Sequence, residues 1–237
     1  MIIGLNAGHC LKGSVGARGI VASGKEEVET REIADLVRYY AEKLGHTVIN
    51  CTVDEATNNA DLDKIVALAN KQKLDIFVSI HLNSYWDKTV GGTETWIAIN
   101  QNGMYASQQS YEKNYNIAKK VNDKVANSCN FKNRGVKHEN FKVLTGVKYH
   151  AILVECCFIS SELDKKTYNA DKIAKAIVEG LTGETIKDEP IVEEKTGYYR
   201  VIAGSFKEKS NALKRKNELE KLGISSFLEF KWKYSII

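Results

Sequence analysis

The sequence predicts an α/β fold with a mostly parallel central sheet flanked by helices, followed by a small βαβ-like C-terminal module. Short runs of apolar and β-branched residues alternate with longer segments whose apolar residues recur at helical spacing. The strand-like runs are almost continuously apolar, which is typical of a sheet that helices cover. The composition, 43% hydrophobic and 27% charged, excludes a disordered chain.

The predicted elements follow one another in a regular order along the chain. Strands are predicted at residues 2–5, 47–51, 75–80, 93–97 and 151–155. Helices are predicted at residues 26–44, 60–72, 111–127 and 170–181. No run reaches the ~18 apolar residues of a membrane-spanning helix, so a membrane partner is not expected.

Three chemically capable side chains lie where predicted strands end. His9 follows the first strand, His81 follows the run DIFVSI, and Glu155 closes the run AILVE. Because parallel strands end at the same edge of a sheet, we expect these side chains to converge. Two histidines and a carboxylate are a typical catalytic zinc combination, which leaves one coordination position open for water.

The segment KEEVETRE, at the start of the first predicted helix, can supply a further carboxylate. With Val37 as the centre of the apolar face, Glu26 lies about 20° from that centre at ~100° per residue. Glu27 and Glu29 lie about 80° away, on opposite flanks. The spacing therefore favours Glu26 as the inward-facing acid, at a helix start where the dipole also stabilises a carboxylate. The adjacent Glu27 remains the alternative.

The five cysteines are scattered without a CxxC pair, which predicts neither a disulfide framework nor a thiolate zinc site. Cys156 and Cys157 suggest a rival mechanism, a thiol nucleophile paired with His81 or His150. Neighbouring side chains of a strand point to opposite faces, so at most one thiol could share the face of Glu155. We therefore expect a metal mechanism. The remaining histidines are expected to be structural: His46, His138 and His150.

A series of short motifs occurs in order along the first part of the chain. They are GH at 8–9, an acid opening the next helix, SIHLN at 79–83, GTET at 92–95, RGVK at 134–137 followed by NFKVL, and LVE at 153–155. As an ordered set, these motifs resemble the zinc-dependent N-acetylmuramoyl-L-alanine amidases. The resemblance covers about residues 1–182.

The resemblance implies a zinc ion, Zn²⁺, held by His9, Glu26 and His81, with Glu155 as the catalytic acid and base. Zinc would bring the pKa of water down towards ~7. Glu155 would take the proton and later return it to the departing L-alanine amine. The chain departs from the family pattern at Cys10, where glycine is usual, and at 150, where proline is usual. Neither change removes a ligand.

The C-terminal part of the chain differs in charge from the rest. Residues 184–195 hold five acids against two lysines and the single proline, whereas residues 196–237 hold nine basic against four acidic residues, a net +5. We predict a zinc amidase catalytic domain at 1–182, an acidic linker at 183–195 and a wall-binding module at 196–237. The strand YYRVIAGSF, a basic helix at 207–222 and the strand ISSFLEF resemble half of a SPOR-type peptidoglycan-binding module.

The predicted function is cleavage of the amide bond between N-acetylmuramic acid and L-alanine by zinc-activated water. The alternatives are a zinc peptidase of peptidoglycan stem peptides and a non-catalytic cell-wall-binding protein. The expected partners are peptidoglycan and, through the basic tail, anionic wall polymers. A homodimer through the C-terminal module is a further candidate, and nucleic acid is not expected.

The N-terminus MIIGLNAGHC lacks the basic stretch of a secretory signal. We expect synthesis in the cytoplasm without a signal peptide and action on the bacterial cell wall after release. This would suit an endolysin of a bacteriophage or prophage, and a sporulation enzyme is the main rival.

Overall fold

The computed structural model describes residues 1–56, 60–99, 105, 107–187 and 208–224. The chain divides into two compact units, Met1–Lys187 and Asp188–Ile237. Most of the predicted linker, and most of the two strands predicted for the C-terminal module, lie outside the described residues. The domain boundaries at 182/183 and 195/196 therefore stay a prediction. In the described ranges, no helix is long and apolar enough to cross a membrane.

The first unit consists of alternating strands and helices. Its strands are β1 (Ile2–Ala7), β2 (Lys12–Gly13), β3 (Thr47–Asn50), β4 (Glu55–Ala56), β5 (Ile76–Asn83), β6 (Thr93–Ile97), β7 (Asn133–His138) and β8 (Ala151–Phe158). Its helices are α1 (Glu26–Lys43), α2 (Ala60–Asn70), α3 (Gln108–Cys129), α4 (Lys142–Thr145) and α5 (Ala170–Thr182), with a 3-10 turn at Asp164–Lys166. In the second unit, the structure describes α6 (Lys209–Lys221).

The main sheet is mostly parallel, as the sequence predicts. Its strand order is β3-β1-β5-β8-β6-β7. The first four strands in this order run parallel, whereas β6 pairs antiparallel with β8 and carries β7 parallel to itself. The amino ends of β6 and β7 therefore lie at the same edge as the carboxyl ends of β1, β5 and β8. This edge is called the carboxyl edge below.

Two clusters of buried apolar residues cover the two faces of the sheet. The larger cluster contains residues of α1, α3 and α5, and α5 packs against both other helices. The smaller cluster joins α2 and α4 to the sheet. Along β5, Ile76 and Val78 belong to the larger cluster and Phe77 to the smaller, as expected for alternating side chains. Burial of each such side chain contributes ~1.5–3 kcal/mol to the free energy of folding. The packed sheet is therefore a stable support for the residues at its carboxyl edge.

The predicted fold class is confirmed, and the differences lie mainly at strand ends. β5 continues to Asn83 and β8 to Phe158, so His81 and Glu155 lie inside strands. The prediction that they end their strands was wrong, because polar residues interrupt the apolar pattern while backbone pairing continues. β7 was not predicted, since this edge strand is nowhere fully buried and has no apolar alternation. The basic helix predicted at 207–222 corresponds to α6.

Candidate functional site

The loop after β1 brings His9 to the carboxyl edge. The N–H of Gly8 donates to the carbonyl of Ile80 on neighbouring β5 at 2.8 Å. A Cβ atom on Gly8 would lie 2.3 Å from the ring of His81, so this close approach requires glycine. His9 has a left-handed backbone conformation, φ 61°, of the kind that costs free energy and clusters at functional sites.

Arg31 of α1 holds the His9 loop in place. Its guanidinium donates to the carbonyl oxygens of Gly8 at 3.2 Å and His9 at 2.9 Å, and its Nε pairs with Asp54 at 2.9 Å. The hydroxyl of Thr30 donates to the same Gly8 carbonyl at 3.0 Å. These bonds offset the backbone cost at His9. Sequence reasoning missed Arg31, because an arginine within a helix gives no sign of contact with a distant loop.

Glu26, the first residue of α1, joins the two histidines. Its Oε1 atom lies 3.2 Å from His9 Nε2 and 3.2 Å from His81 Nδ1. The N–H of Leu82 donates to the same oxygen at 3.1 Å, and the N–H of Ala17 donates to Oε2 at 2.8 Å. One nitrogen of each histidine and one Glu26 oxygen all lie within 4.8 Å of one another. The structure therefore brings the three predicted ligands together, a group called the ligand cluster below.

The neighbouring acids of α1 have other partners. The two oxygens of Glu27 accept hydrogen bonds from Arg18 at 2.7 and 2.8 Å. Glu29 accepts one from the hydroxyl of Tyr168 at 2.9 Å. All three acids are buried. It is Glu26, and not Glu27, that faces the histidines, which is the orientation that the helical spacing favours.

Opposing effects set the charges in the ligand cluster. Burial alone would raise the pKa of Glu26, but hydrogen bonds with His81 and His9, and their charges, hold that pKa well below its usual range. Burial alone would lower the pKa of His9, but its hydrogen bond with Glu26 and the Glu26 charge raise that pKa overall. Glu26 is therefore a carboxylate near neutral pH. A carboxylate oxygen beside two imidazole nitrogens is a donor set that suits Zn²⁺.

Glu155 lies on β8 beside the ligand cluster. It is directly opposite His81 in the pairing of β5 with β8, and opposite Glu94 in the pairing of β6 with β8. Its Oε2 atom is buried and has no hydrogen-bond partner among the described residues. Burial, reinforced by the charges of Glu26 and Glu94, raises the pKa of Glu155 well above its usual value. This carboxyl group is suited to holding a proton.

Glu94, the acid opposite Glu155, is held by partners of its own. Its Oε2 atom accepts a hydrogen bond from Arg134 Nε at 2.7 Å, and its Oε1 atom accepts one from Asn83 Nδ2 at 2.8 Å. The Arg134 guanidinium also lies 4.9 Å from the centre of the Phe158 ring. Glu94, Asn83 and Arg134 belong to motifs found in the sequence, but no spacing argument predicts that they meet, because they lie on three different strands.

The cysteines do not form a nucleophilic site. Cys156 and Cys157 are fully buried, and burial raises the pKa of both thiols well above its usual value. Burial and the charge of Asp61 also raise the pKa of Cys10. Since the thiolate is the reactive form, the thiol alternative lacks support. The remaining histidines lie outside the ligand cluster: His46, His138 and His150.

Two family models match the chain. The model described as N-acetylmuramoyl-L-alanine amidase matches residues 3–183, and the model of the SPOR domain matches residues 167–228. The two matches share residues 167–183, a segment that in the structure consists mostly of α5 and belongs to the first unit.

Relatives and solved structures extend the comparison. An uncharacterized protein of Clostridium perfringens is 33% identical over 195 residues, which are 79% of this chain and 53% of that protein. The sporulation-specific N-acetylmuramoyl-L-alanine amidase of Bacillus subtilis is 28% identical over 168 residues, 69% of this chain and 60% of that protein. The structure of the catalytic domain of an endolysin targeting Clostridia difficile is 25% identical with a TM-score of 0.67, covering 79% of this chain and 99% of that one. The chain spans about half the length of its two C. perfringens relatives.

Proposed function

Since this chain belongs to the N-acetylmuramoyl-L-alanine amidase family and carries a C-terminal SPOR domain, we propose that it hydrolyses the amide bond between N-acetylmuramic acid and L-alanine in peptidoglycan. The observation that carries this proposal is the position of the ligand cluster, His9, Glu26 and His81, next to Glu155, which lies opposite His81 in the sheet. A metal site and a proton carrier are the two parts that metal-assisted cleavage of an amide by water uses.

The donor atoms of the ligand cluster suit zinc. His9 Nε2, His81 Nδ1 and Glu26 Oε1 would hold the ion, because both nitrogens already lie 3.2 Å from the same oxygen. When bound by three protein ligands, zinc polarises a carbonyl oxygen and lowers the pKa of water towards ~7.

Glu155 would carry the proton during the reaction. Its Oε2 atom has no partner among the described residues, so its capacity to bond to a water molecule or a leaving group is unused. As a carboxylate, Glu155 accepts a proton from the attacking water, whose oxygen bonds to the lactyl carbonyl carbon of muramic acid. As an acid, it gives the proton to the L-alanine nitrogen while the C–N bond breaks. The raised pKa favours the protonated form that this second step needs.

Digestion of purified cell walls, followed by mass spectrometry of the products, tests the reaction. Free lactyl groups on muramic acid together with new N-terminal L-alanine are expected for the amidase. Cut cross-bridges or shortened stem peptides would instead identify a peptidase, which could use the same ligand cluster. Intact walls after incubation with the zinc-loaded protein would favour a binding protein without catalytic activity. The Glu155→Gln variant serves as the control for contaminating hydrolases.

For the C-terminal part we propose binding to the cell wall. The match to the SPOR domain supports this role, as does the net charge of +5 in residues 196–237, which attracts anionic wall polymers. Co-sedimentation of the full chain and of a chain truncated after Lys187 with purified walls, at low and high salt, tests it. Only the electrostatic part of the binding should weaken with salt. Equal sedimentation of both chains would contradict wall binding by the tail, and self-association would then be examined by analytical ultracentrifugation.

The biological setting that we propose is release during lysis, as for an endolysin of a bacteriophage or prophage. Similarity to the catalytic domain of an endolysin supports this setting, while similarity to a sporulation-specific amidase supports the rival. Transcript levels in the source bacterium after prophage induction and during sporulation would separate the two. A rise during sporulation alone would reject the endolysin role.

A further inference from the structure

The loop between β5 and β6 exposes two aromatic side chains, Tyr85 and Trp86, called the aromatic pair below. Tyr85 is 47% exposed. Trp86 is 82% exposed, which is the largest exposed fraction of any large apolar side chain in the described ranges. Their ring centroids lie 5.4 Å apart with the planes inclined by 37°, so the two rings form one aromatic surface. Exposed apolar surface is unfavourable in water at ~25 cal/mol per Å², which marks such a surface as a candidate for binding.

The topology places the aromatic pair at the same edge as the candidate catalytic residues. β5 and β6 lie on either side of β8, so the loop that connects them, residues 84–92, crosses the carboxyl end of β8. His81 precedes this loop on β5, and Glu155 lies opposite His81 on β8. A ligand at the aromatic pair would therefore lie at the same edge of the sheet as the groups proposed to cleave the amide bond.

Hydrogen bonds fix the conformation of this loop. The N–H of Tyr85 donates to the hydroxyl of Ser160 at 3.0 Å, which ties the loop to the segment after β8. Asp87 accepts from both the N–H and the hydroxyl of Thr89, at 2.9 and 2.8 Å. The aromatic pair is thus held in solvent on a defined loop, which reduces the entropy lost when a ligand binds.

We propose that the aromatic pair binds the sugar backbone of the glycan strand whose amide is cleaved at the ligand cluster. This inference rests on the proposed function, because the scissile amide is attached to muramic acid and its sugar ring must lie near the metal site. A pyranose ring presents a face of C–H groups that packs on an aromatic ring while its hydroxyl groups stay in water. A stem peptide would instead need polar partners for its amide and carboxylate groups. The carboxylate of Asp87 is already used within its own turn.

Kinetics of the full-length, zinc-loaded protein on soluble, uncross-linked peptidoglycan strands test the proposal. Trp86→Ala should raise KM about tenfold, with kcat much less affected, and Trp86→Phe should restore most of the loss. Tyr39→Ala is the matched control, because Tyr39 is also an exposed aromatic residue, 55% exposed, and lies about 20 Å along α1 from Glu26. An unchanged KM in Trp86→Ala, or an equal rise in Tyr39→Ala, would overturn the proposal.

A second measurement reports on the aromatic pair directly, so it depends neither on amide cleavage nor on wall binding by the C-terminal module. Hydroxyl-radical labelling of the full chain, with mass spectrometry, reports the exposure of each aromatic residue with and without peptide-free glycan oligosaccharides. We expect the glycan to protect Trp86 and leave Tyr39 unchanged. Protection by free stem peptides alone would overturn the proposal, as would protection that depends only on protein concentration, the mark of self-association. If the protein fails to cleave walls while glycan still protects Trp86, the proposed function fails and the sugar site stands.

Discussion

Glu26 and Glu155 are two carboxyl groups in one site, yet their surroundings are opposite. Glu26 lies within hydrogen-bond distance of His9, His81 and two backbone N–H groups, whereas Glu155 Oε2 has no partner among the described residues. Their positions explain the contrast. Glu26 accepts from the N–H groups of Ala17, in the loop before α1, and of Leu82, where the pairing of β5 with β8 is irregular. Glu155 lies within the sheet between β5 and β6, and no described group donates to its Oε2 atom. The fold thus stabilises a charge at the proposed ligand and a proton at the proposed acid and base.

The largest effect is expected from removing the proton carrier. Glu155→Gln should lower turnover by ~10² to 10⁴, the usual contribution of a general base, while zinc binding and folding persist. Turnover of soluble muropeptides and the zinc content of the purified variant are the measurements. Glu162→Gln, an exposed acid in the loop after β8, is the matched control and should leave turnover unchanged. Near-native turnover in Glu155→Gln would remove Glu155 from the mechanism.

The second prediction distinguishes the two adjacent acids of α1, Glu26 and Glu27, as candidate zinc ligands. Glu26→Ala should lower zinc affinity by more than about 10², because loss of a direct ligand exceeds the 10- to 100-fold cost typical of groups that only support a ligand. Glu27→Ala should keep zinc at one ion per chain but lose stability, since Arg18 loses its bidentate partner. Metal analysis after dialysis against a weak chelator reads out both variants. Full zinc in Glu26→Ala combined with loss in Glu27→Ala would reverse the ligand assignment.

The contrast between Glu26 and Glu155 could be predicted from the sequence only in part. Helical periodicity placed Glu26 inward because the angle from Val37 is a local property of one helix, and the structure shows Glu26 toward the histidines. Strand alternation could not show that Glu155 faces both His81 and Glu94, because pairing across three strands depends on register, which a single sequence does not encode locally. The fold class followed from the alternation of elements, whereas the reversed direction of β6 and β7 left no local signal.

The third prediction concerns the metal-free protein, where the two carboxyl groups should affect stability with opposite sign. The folded-state pKa of Glu155 is raised above its unfolded value, so the contribution of Glu155 to folding stability falls as pH rises above ~4.5. Glu155→Gln removes this titrating group. The variant should therefore be more stable than the native protein near pH 6, by ~1–3 kcal/mol. The folded-state pKa of Glu26 is lowered, so its contribution is present above ~4.5 and is lost as pH falls through the folded-state value. Glu26→Gln should therefore destabilise by a similar amount at pH 6, where His9 is also protonated. Urea unfolding at pH 4.5 and 6 measures both, and the same sign for both variants would contradict the contrast.

The smallest expected effect concerns how much the charge of Glu94 raises the pKa of Glu155. The Glu94 charge raises the pKa of Glu155, although less than burial does, and Arg134 partly neutralises that charge. Replacing Glu94 with glutamine removes the negative charge and leaves Arg134 unpaired, and both changes lower the pKa of Glu155. The stabilisation that Glu155→Gln gives to the metal-free protein should then be smaller in the Glu94→Gln background, by ~0.5–1 kcal/mol in a double-mutant cycle at pH 6. Additive effects of the two substitutions would show that burial alone keeps Glu155 protonated, and that the Glu94–Arg134 pair serves to join β6 to β7.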